Sequence, residues 1–135
     1  MGKEAIRNKP VSRTAMQRIA LKLVDRLASM DMWLDVRIYA GGNMYASDMS
    51  SPYDLEAKTK RGTKYFVSRC DDPSIYVEGA DPRTISMTFE GPLYEWLNYA
   101  AGGQDWLYGI SNEYLAPYGL YFDMVNAFTM SACRI

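Results

Sequence analysis

Apolar and polar positions alternate over residues 84–89, and a helical pattern then continues to residue 100. In the first part, apolar side chains face one way and hydroxyl side chains the other: Ile85, Met87 and Phe89 against Thr84, Ser86 and Thr88. Gly91-Pro92 ends this strand and begins the helix. Proline fits the first turn of a helix, because the backbone N–H that it lacks would have no partner within the helix there. Apolar residues at helical spacing follow, namely Leu93, Trp96, Leu97 and Ala100. The pattern predicts a strand that leads directly into a helix packed on the same sheet.

The N-terminal region predicts one long helix. Thr14 to Gln17 fits a capping box with Thr14 as the N-cap, and we expect the helix to run to about Ser29. Its buried stripe is predicted to consist of Met16, Ile19, Ala20, Leu23 and Leu27. Residues 1–11 are polar and basic, so we expect a flexible arm there.

The remaining pattern predicts a series of strands and two further helices. Strands are expected at residues 32–40, 43–48, 55–60, 63–69, 75–78 and from 120 onwards, with 126–133 continuing the last one after a bend. We expect the last strand to be buried on both faces. Helices are expected at residues 92–100 and from 104 to about 116. This order predicts a single α+β domain over residues 1–135, with a mainly antiparallel sheet covered on one face, an N-terminal helix and two further helices before the last strand.

The composition is that of an ordinary globular domain. The chain has 135 residues, of which 48% are hydrophobic and 23% charged, so it can form one core without disulfides. It contains no run of about 18 apolar residues and no apolar N-terminal segment, so we expect neither a membrane span nor a secretory signal. Cys70 and Cys133 are too few for a disulfide framework, which predicts two reduced thiols in a cytoplasmic protein.

The absence of histidine restricts the possible chemistry more than any motif does. It excludes Ser-His-Asp and Cys-His catalysis, and a zinc site would have to draw its ligands from two cysteines and carboxylates. Glu90 and Glu95 flank the Gly91-Pro92 corner and could form an acid/base pair. Helix-N-terminal electrostatics is the preferred explanation for Glu95. We therefore expect no enzyme activity, no cofactor and no metal site.

Positive charge is concentrated in the first half of the chain. Residues 1–69 carry 13 Lys and Arg against 7 Asp and Glu, whereas residues 70–135 carry 2 against 9. Possible nucleic-acid contacts lie on the N-terminal helix and at the tip of a predicted hairpin, and they are Arg18, Lys22, Lys58, Lys60, Arg61 and Lys64. The competing explanation is a solvated helix surface and an exposed sheet edge that charge protects from aggregation.

The second half combines negative charge with an excess of aromatic residues. The chain has 11 Tyr and 3 Trp. The tyrosines are too many to be buried with every hydroxyl group hydrogen-bonded. Protein interfaces are enriched in both residue types. An acidic, tyrosine-rich surface would suit a protein partner with a basic groove. The residues predicted to form this surface are Asp71, Asp72, Tyr76, Glu78, Asp81, Asp105, Tyr108 and Glu113. A tyrosine-rich sheet with an acidic solvent face would explain the same composition.

In size, missing catalytic motifs, segregated charge and aromatic excess, the chain resembles small accessory proteins of phages and mobile elements, among them anti-CRISPR inhibitors. The resemblance implies a protein that binds a nuclease complex and blocks nucleic-acid access or cleavage, and it assigns no residue. Three hypotheses follow: a protein-binding inhibitor or adaptor, a nucleic-acid-binding module, and a structural or self-associating protein.

Overall fold

The computed structural model describes residues 11–49 and 55–135, which form one antiparallel sheet with helices packed against it. The strands are β1 (Val36–Ala40), β2 (Asn43–Ala46), β3 (Glu56–Lys60), β4 (Thr63–Arg69), β5 (Ile85–Phe89), β6 (Leu120–Asn126) and β7 (Thr129–Arg134). The α-helices are α1 (Arg13–Ser29), α2 (Gly91–Tyr99) and α3 (Gly103–Ile110). The predicted α+β class is therefore confirmed. The predicted arm at residues 1–11 lies, apart from Val11, outside the described residues.

All neighbouring strands of the sheet are antiparallel, in the order β3-β4-β2-β1-β5-β7-β6. The junction between β1 and β5 places Val36 opposite Phe89 and Ala40 opposite Ile85. The strands from residues 36–69 all lie on one side of this junction, and those from residues 85–134 lie on the other. The strands of the basic first half and those of the acidic second half of the sequence thus lie on opposite sides of this junction.

The main core lies on the face of the sheet that the helices cover. The buried residues of α1 include the whole predicted stripe, and α2 and α3 add Leu93, Leu97, Leu107 and Ile110. The strands supply Val36, Ile38, Ile85, Met87, Phe89, Leu120 and Phe122. Burying this apolar surface is the main force that holds the helices on the sheet. None of the helices in the described residues has the length and apolar run that crossing a bilayer requires.

The start of α1 differs from the prediction, whereas its end at Ser29 agrees with it. Ser12 is the N-cap in place of Thr14, because the Ser12 Oγ accepts a hydrogen bond from the Ala15 N–H at 3.1 Å. Ser12 has extended backbone, as an N-cap requires, and Thr14 already lies inside the helix.

The helical structure that follows β5 extends slightly further along the chain than predicted, and the buried stripe of α2 has fewer residues than predicted. In α2 only Leu93 and Leu97 are buried; Trp96 is half-buried and Ala100 is exposed. The chain after α3 stays helical through a π-helical turn at Ser111–Leu115 and a 3-10 turn at Ala116–Tyr118.

The opposite face of the sheet carries a smaller core under residues 73–80, which we call the strap. Val77 of the strap is buried with Tyr39, Met44 and Ala46 of the sheet. The predicted strand at residues 75–78 is wrong, since Pro73–Ile75 forms a 3-10 turn. The cause is Asp72, whose carboxylate accepts hydrogen bonds from the backbone and hydroxyl of Ser74. The sheet is therefore partly covered on its second face as well.

The first strand begins later than the alternation over residues 32–40 predicts. Asp35 has a positive φ of 56°, which bends the chain just before β1. As a result Leu34 lies outside the strand and is 57% exposed. Trp33 is buried instead, and its indole N–H donates to the Lys64 carbonyl at 3.1 Å.

The C-terminal region forms a hairpin rather than one bent strand. The Asn126 side chain accepts a hydrogen bond from the Phe128 N–H and closes the turn between β6 and β7. β6 is buried on one face only, which corrects the prediction of two buried faces. Its outward residues Tyr121, Asp123 and Val125 are exposed. The two helices therefore precede the last two strands rather than the last one.

Candidate protein-binding surface

The eight residues predicted to form an acidic, tyrosine-rich surface are divided between the two faces of the sheet. The first group lies in or beside the strap and consists of Asp71, Asp72, Tyr76, Glu78 and Asp81. The second group lies on α3 and the turn after it, on the helix-covered face, and consists of Asp105, Tyr108 and Glu113. The eight residues therefore do not form one continuous surface, because the sheet lies between the two groups.

Three of the carboxylates near the strap have local partners. Asp71 pairs with the Arg69 Nε at 3.0 Å, and Asp72 caps the 3-10 turn. Asp81 accepts from the Arg83 N–H at 2.9 Å and lies 3.5 Å from the Arg83 Nε. These groups shape the strap and its ends, and neighbouring guanidinium groups offset part of their charge.

Glu113 also has a structural partner. Its carboxylate accepts a hydrogen bond of 2.6 Å from Arg26 of α1, and the same Arg26 nitrogen donates to the Tyr114 hydroxyl at 3.1 Å. The Tyr114 hydrogen bond is the main cause that raises the pKa of Arg26 above its ordinary value. These contacts join α1 to the segment after α3, and they give the Glu113 carboxylate a partner within the fold.

The outward sides of α2 and α3 carry a different acidic and aromatic group, which we call the helical surface: Glu95, Tyr99, Asp105 and Tyr108. Tyr99 is 75% and Tyr108 65% exposed. Glu95 precedes Tyr99 by four residues and Asp105 precedes Tyr108 by three, so each tyrosine lies one helical turn from a carboxylate. Residues 91–119 contain no Lys or Arg. Asp105 and Tyr108 were predicted as site residues, whereas Glu95 and Tyr99 were not.

Close packing fixes α2 and α3 against each other. Gly103 has no side chain where the helices meet, and a Cβ there would lie 2.3 Å from the Trp96 carbonyl oxygen. The Gln104 side chain donates a hydrogen bond to the Leu97 carbonyl at 3.2 Å, and the ring centroids of Trp96 and Trp106 are 5.5 Å apart. The helical surface is therefore carried on a rigid pair of helices.

A cleft of about 430 Å³ lies beside the N-terminus of α2. Its described lining comprises Asp35, Arg37, Asp48, Thr88, Phe89, Glu90 and Phe128. The Glu90 N–H donates to the Asp35 carbonyl at 2.9 Å, and the Phe89 N–H donates to the Phe128 carbonyl at 3.0 Å. These backbone bonds hold the walls in place. The lining includes Glu90 but not Glu95, so the cleft does not pair the two carboxylates that flank the corner.

The cleft adjoins the helical surface. The Asn98 side chain of α2 donates to the Ala127 carbonyl at 2.7 Å, in the turn that carries Phe128. Sequence reasoning missed this cleft because its lining comes from four separated segments. The pairing of β1 with β2 and β5, the pairing of β5 with β7, and the β6–β7 turn bring these segments together.

The basic residues proposed for nucleic acid lie on α1 and on the β3–β4 hairpin, both on the β1 side of the β1–β5 junction. Lys60 pairs with Asp25 of α1 at 3.2 Å, which brings the β3–β4 hairpin against the helix that carries Arg18 and Lys22. Arg18 and Lys22 are exposed. Lys58 lies 3.9 Å from Glu56, the Lys64 ammonium lies 5.9 Å from the ring centroid of Phe66, and Arg61 forms the hairpin turn with a φ of 51°.

The two cysteines are present as thiols, and their surroundings disfavour the thiolate. Burial is the largest cause that raises the pKa of Cys70, and the nearby carboxylates of Asp71 and Asp72 raise it further. Burial and Asp123 raise the pKa of Cys133. Among the described residues, no group of three or more acidic or cysteine side chains is arranged to hold a metal ion.

The chain matches no protein-family model, no curated protein and no solved structure.

Proposed function

We propose that this protein is a non-enzymatic binding module that engages a basic protein partner through the helical surface. The observation that carries the proposal is the exposure of Tyr99 and Tyr108 on a rigid helix pair, each one turn from a carboxylate. No cation of residues 91–119 offsets that charge. The two groups of the earlier prediction contribute unequally, because the strap carboxylates already lie beside Arg69 and Arg83.

The two residue types have different tasks in such an interface. Carboxylates steer a basic partner and raise the association rate, which falls as salt increases. Tyrosine side chains bury a large area at a small cost in conformational entropy, so they serve as anchors that set the dissociation rate. Because α2 and α3 are fixed against each other, little ordering is needed on binding.

A partner with a basic groove is typically one that binds nucleic acid. We extend the proposal to inhibition of a nucleic-acid-processing complex, of the kind that anti-CRISPR proteins exert. Support for this extension comes from the charge complementarity and from the overall resemblance described above. Competition between this protein and nucleic acid for the partner is the expected behaviour.

Affinity capture from the source cell tests the proposal. The wild type and a Tyr99→Ala/Tyr108→Ala variant are compared, with and without nuclease treatment. Tyr121→Ala is the matched control, because Tyr121 is also exposed but lies on β6 and faces away from the helices. We expect nuclease-resistant partners that the control retains and the double variant loses. Identical capture by all three proteins would contradict the proposal.

The ion pair between Asp25 and Lys60 favours a second candidate function, nucleic-acid binding by α1 and the β3–β4 hairpin. It brings the two basic segments together, so that Arg18, Lys22 and the hairpin tip could contact one stretch of phosphates. In that case affinity falls steeply with salt, and Arg18→Ala with Lys22→Ala lowers the slope by about two units. Arg83→Ala on the other side of the sheet serves as the control. Absence of binding at low ionic strength removes this candidate.

A further inference from the structure

The cleft beside α2 has more negative than positive groups and an aromatic rim. Among the described lining residues, three are acidic, namely Asp35, Asp48 and Glu90, and one is basic, Arg37. Phe128 adds a phenyl ring that is 50% exposed, at the turn between β6 and β7. A concave site with excess carboxylate and an exposed ring is complementary to an organic cation that has a flat or apolar part.

The size of the cleft limits its occupant. A volume of about 430 Å³ lies near the lower end of the range of roughly 300–1,000 Å³ found for ligand pockets, so one side chain fits better than a large ligand. Arginine matches the lining most closely, because its planar guanidinium group can bond a carboxylate through two N–H groups and stack on a ring.

The position of the cleft connects it with the helical surface. The hydrogen bond from Asn98 to Ala127 fixes α2 against the turn that carries Phe128. Glu90, in the cleft, immediately precedes α2, and Glu95 lies on the outward side of the same helix. A partner lying on α2 and α3 therefore has the mouth of the cleft within its footprint.

We propose that the cleft receives an arginine side chain of the basic partner, an inference that rests on the function proposed above. The guanidinium lies among the carboxylates of Asp35, Asp48 and Glu90, and its stem lies against Phe128. The helical surface then supplies the anchors, and the cleft selects the residue type that the partner must present.

The test is a titration of the full-length protein with a capped Gly-Arg-Gly peptide, followed by amide chemical shifts. A capped peptide with citrulline in place of arginine is the neutral control of nearly the same shape. We expect saturable shifts at Thr88, Glu90 and Phe128 with the arginine peptide and at least tenfold weaker shifts with the citrulline peptide. An equal response to both peptides, or no shift at these residues, overturns the inference.

Variants assign the effect to the cleft. Asp35→Asn is suited to the positive φ of that position, because asparagine tolerates left-handed backbone. Glu90→Gln removes no capping bond, since the Glu90 side chain makes none at the N-terminus of α2. The double variant should bind the arginine peptide at least tenfold more weakly, and Asp123→Asn, on the outward side of β6, should leave binding unchanged. The opposite ranking, or tighter binding of spermidine than of the peptide, overturns the assignment to a partner's arginine.

This titration contains no partner protein, so it can fail while capture through Tyr99 and Tyr108 succeeds. In that case the helical surface binds a partner without the cleft. If capture fails while the titration succeeds, the cleft binds guanidinium groups but the proposed function is wrong. The two failures are therefore distinguishable.

Discussion

The Glu113 carboxylate lies 2.6 Å from the Arg26 guanidinium, which connects α1 to the helical turn that follows α3. Both side chains are partly exposed, at 39% for Arg26 and 51% for Glu113. Exposed ion pairs contribute little, so we expect Glu113→Gln to lower the free energy of unfolding by about 0.2–1 kcal/mol. Urea unfolding measures the change, and capture of the partner should not change. Loss of partner binding without loss of stability would return Glu113 to the binding site.

The pair Gly103 and Gly109 tests the packing of α2 on α3. A Cβ at Gly103 would lie 2.3 Å from the Trp96 carbonyl and 2.9 Å from the Leu97 Cα, so Gly103→Ala must push the helices apart. We expect a loss of about 1–3 kcal/mol, as overpacking generally causes. A Cβ at Gly109 meets nothing within 4 Å, and Gly109→Ala should stabilise α3 by roughly 0.4–1 kcal/mol. Thermal unfolding of both variants measures these changes. Equal changes in stability for the two variants would contradict close packing of α2 on α3.

Leu93 anchors α2 to the sheet more firmly than the sequence pattern alone suggests. It is fully buried in the main core, whereas Trp96 keeps part of its surface in solvent. Leu93→Ala should therefore cost about 2–5 kcal/mol in denaturant unfolding. Glu95→Ala, on the outward side of the same helix, is the control and should change stability by less than about 0.5 kcal/mol. A small loss for Leu93→Ala would mean that α2 does not pack on the sheet.

The carboxylates of the helical surface should govern the association rate with a basic partner. Glu95→Lys/Asp105→Lys should slow association about tenfold at low salt, because steering depends on the charge near the contact. Asp71→Lys/Glu78→Lys changes the net charge by the same amount at the strap and should have a much smaller effect. Stopped-flow measurements at several salt concentrations separate the two cases. If both variants slow association equally, only the net charge matters.

The thiol of Cys70 provides a prediction for pH. Burial first, and then Asp71 and Asp72, raise its pKa above the ordinary value of 9.0. The folded protein therefore holds the proton when the unfolded chain has begun to release it. As a result, the free energy of unfolding is unaffected by this group below pH 9.0 and decreases as pH rises above it, because the unfolded chain then releases the proton more readily than the folded protein. Alkylation by iodoacetamide at pH 8 should be slower than that of a model thiol, and faster in Asp71→Asn. A rate equal to that of the model thiol would contradict the shift.

The sequence pattern correctly predicts the elements whose ends are determined by neighbouring residues, such as a turn or a helical stripe. Alternation and the turn at Arg61-Gly62 place β4 at Thr63–Arg69, and the helical stripe places the end of α1 at Ser29. The prediction of a strand at residues 75–78 is wrong, because the hydrogen bonds that the Asp72 carboxylate accepts from Ser74 favour a 3-10 turn over the strand propensity of Ile75 to Glu78.

The candidate site was harder to predict, because surfaces combine distant segments. Asp105 and Tyr108 are three residues apart on α3, so they lie on the same side of the helix. Their proximity can therefore be predicted from the sequence. The division of the acidic residues between two faces depends on where the strap crosses the sheet. The cleft requires Asp35, Glu90 and Phe128 to meet, which follows from strand order, and alternation does not specify strand order.

The arrangement of strands about the β1–β5 junction distributes charge unevenly over the described part of the protein. The formal net charge of the chain is only −1, yet residues 11–49 and 55–69 carry 10 Lys and Arg against 5 Asp and Glu, whereas residues 85–135, on the other side of the junction, carry 1 against 5. The acidic residues of the strap lie over the first side and offset part of its positive charge. At low ionic strength such a molecule should be retained by both cation and anion exchangers at pH 7. Two copies should also attract each other head to tail, weakly and only until salt shortens the Debye length to about 10 Å or less. Orientation toward a charged surface is thus built into the strand order.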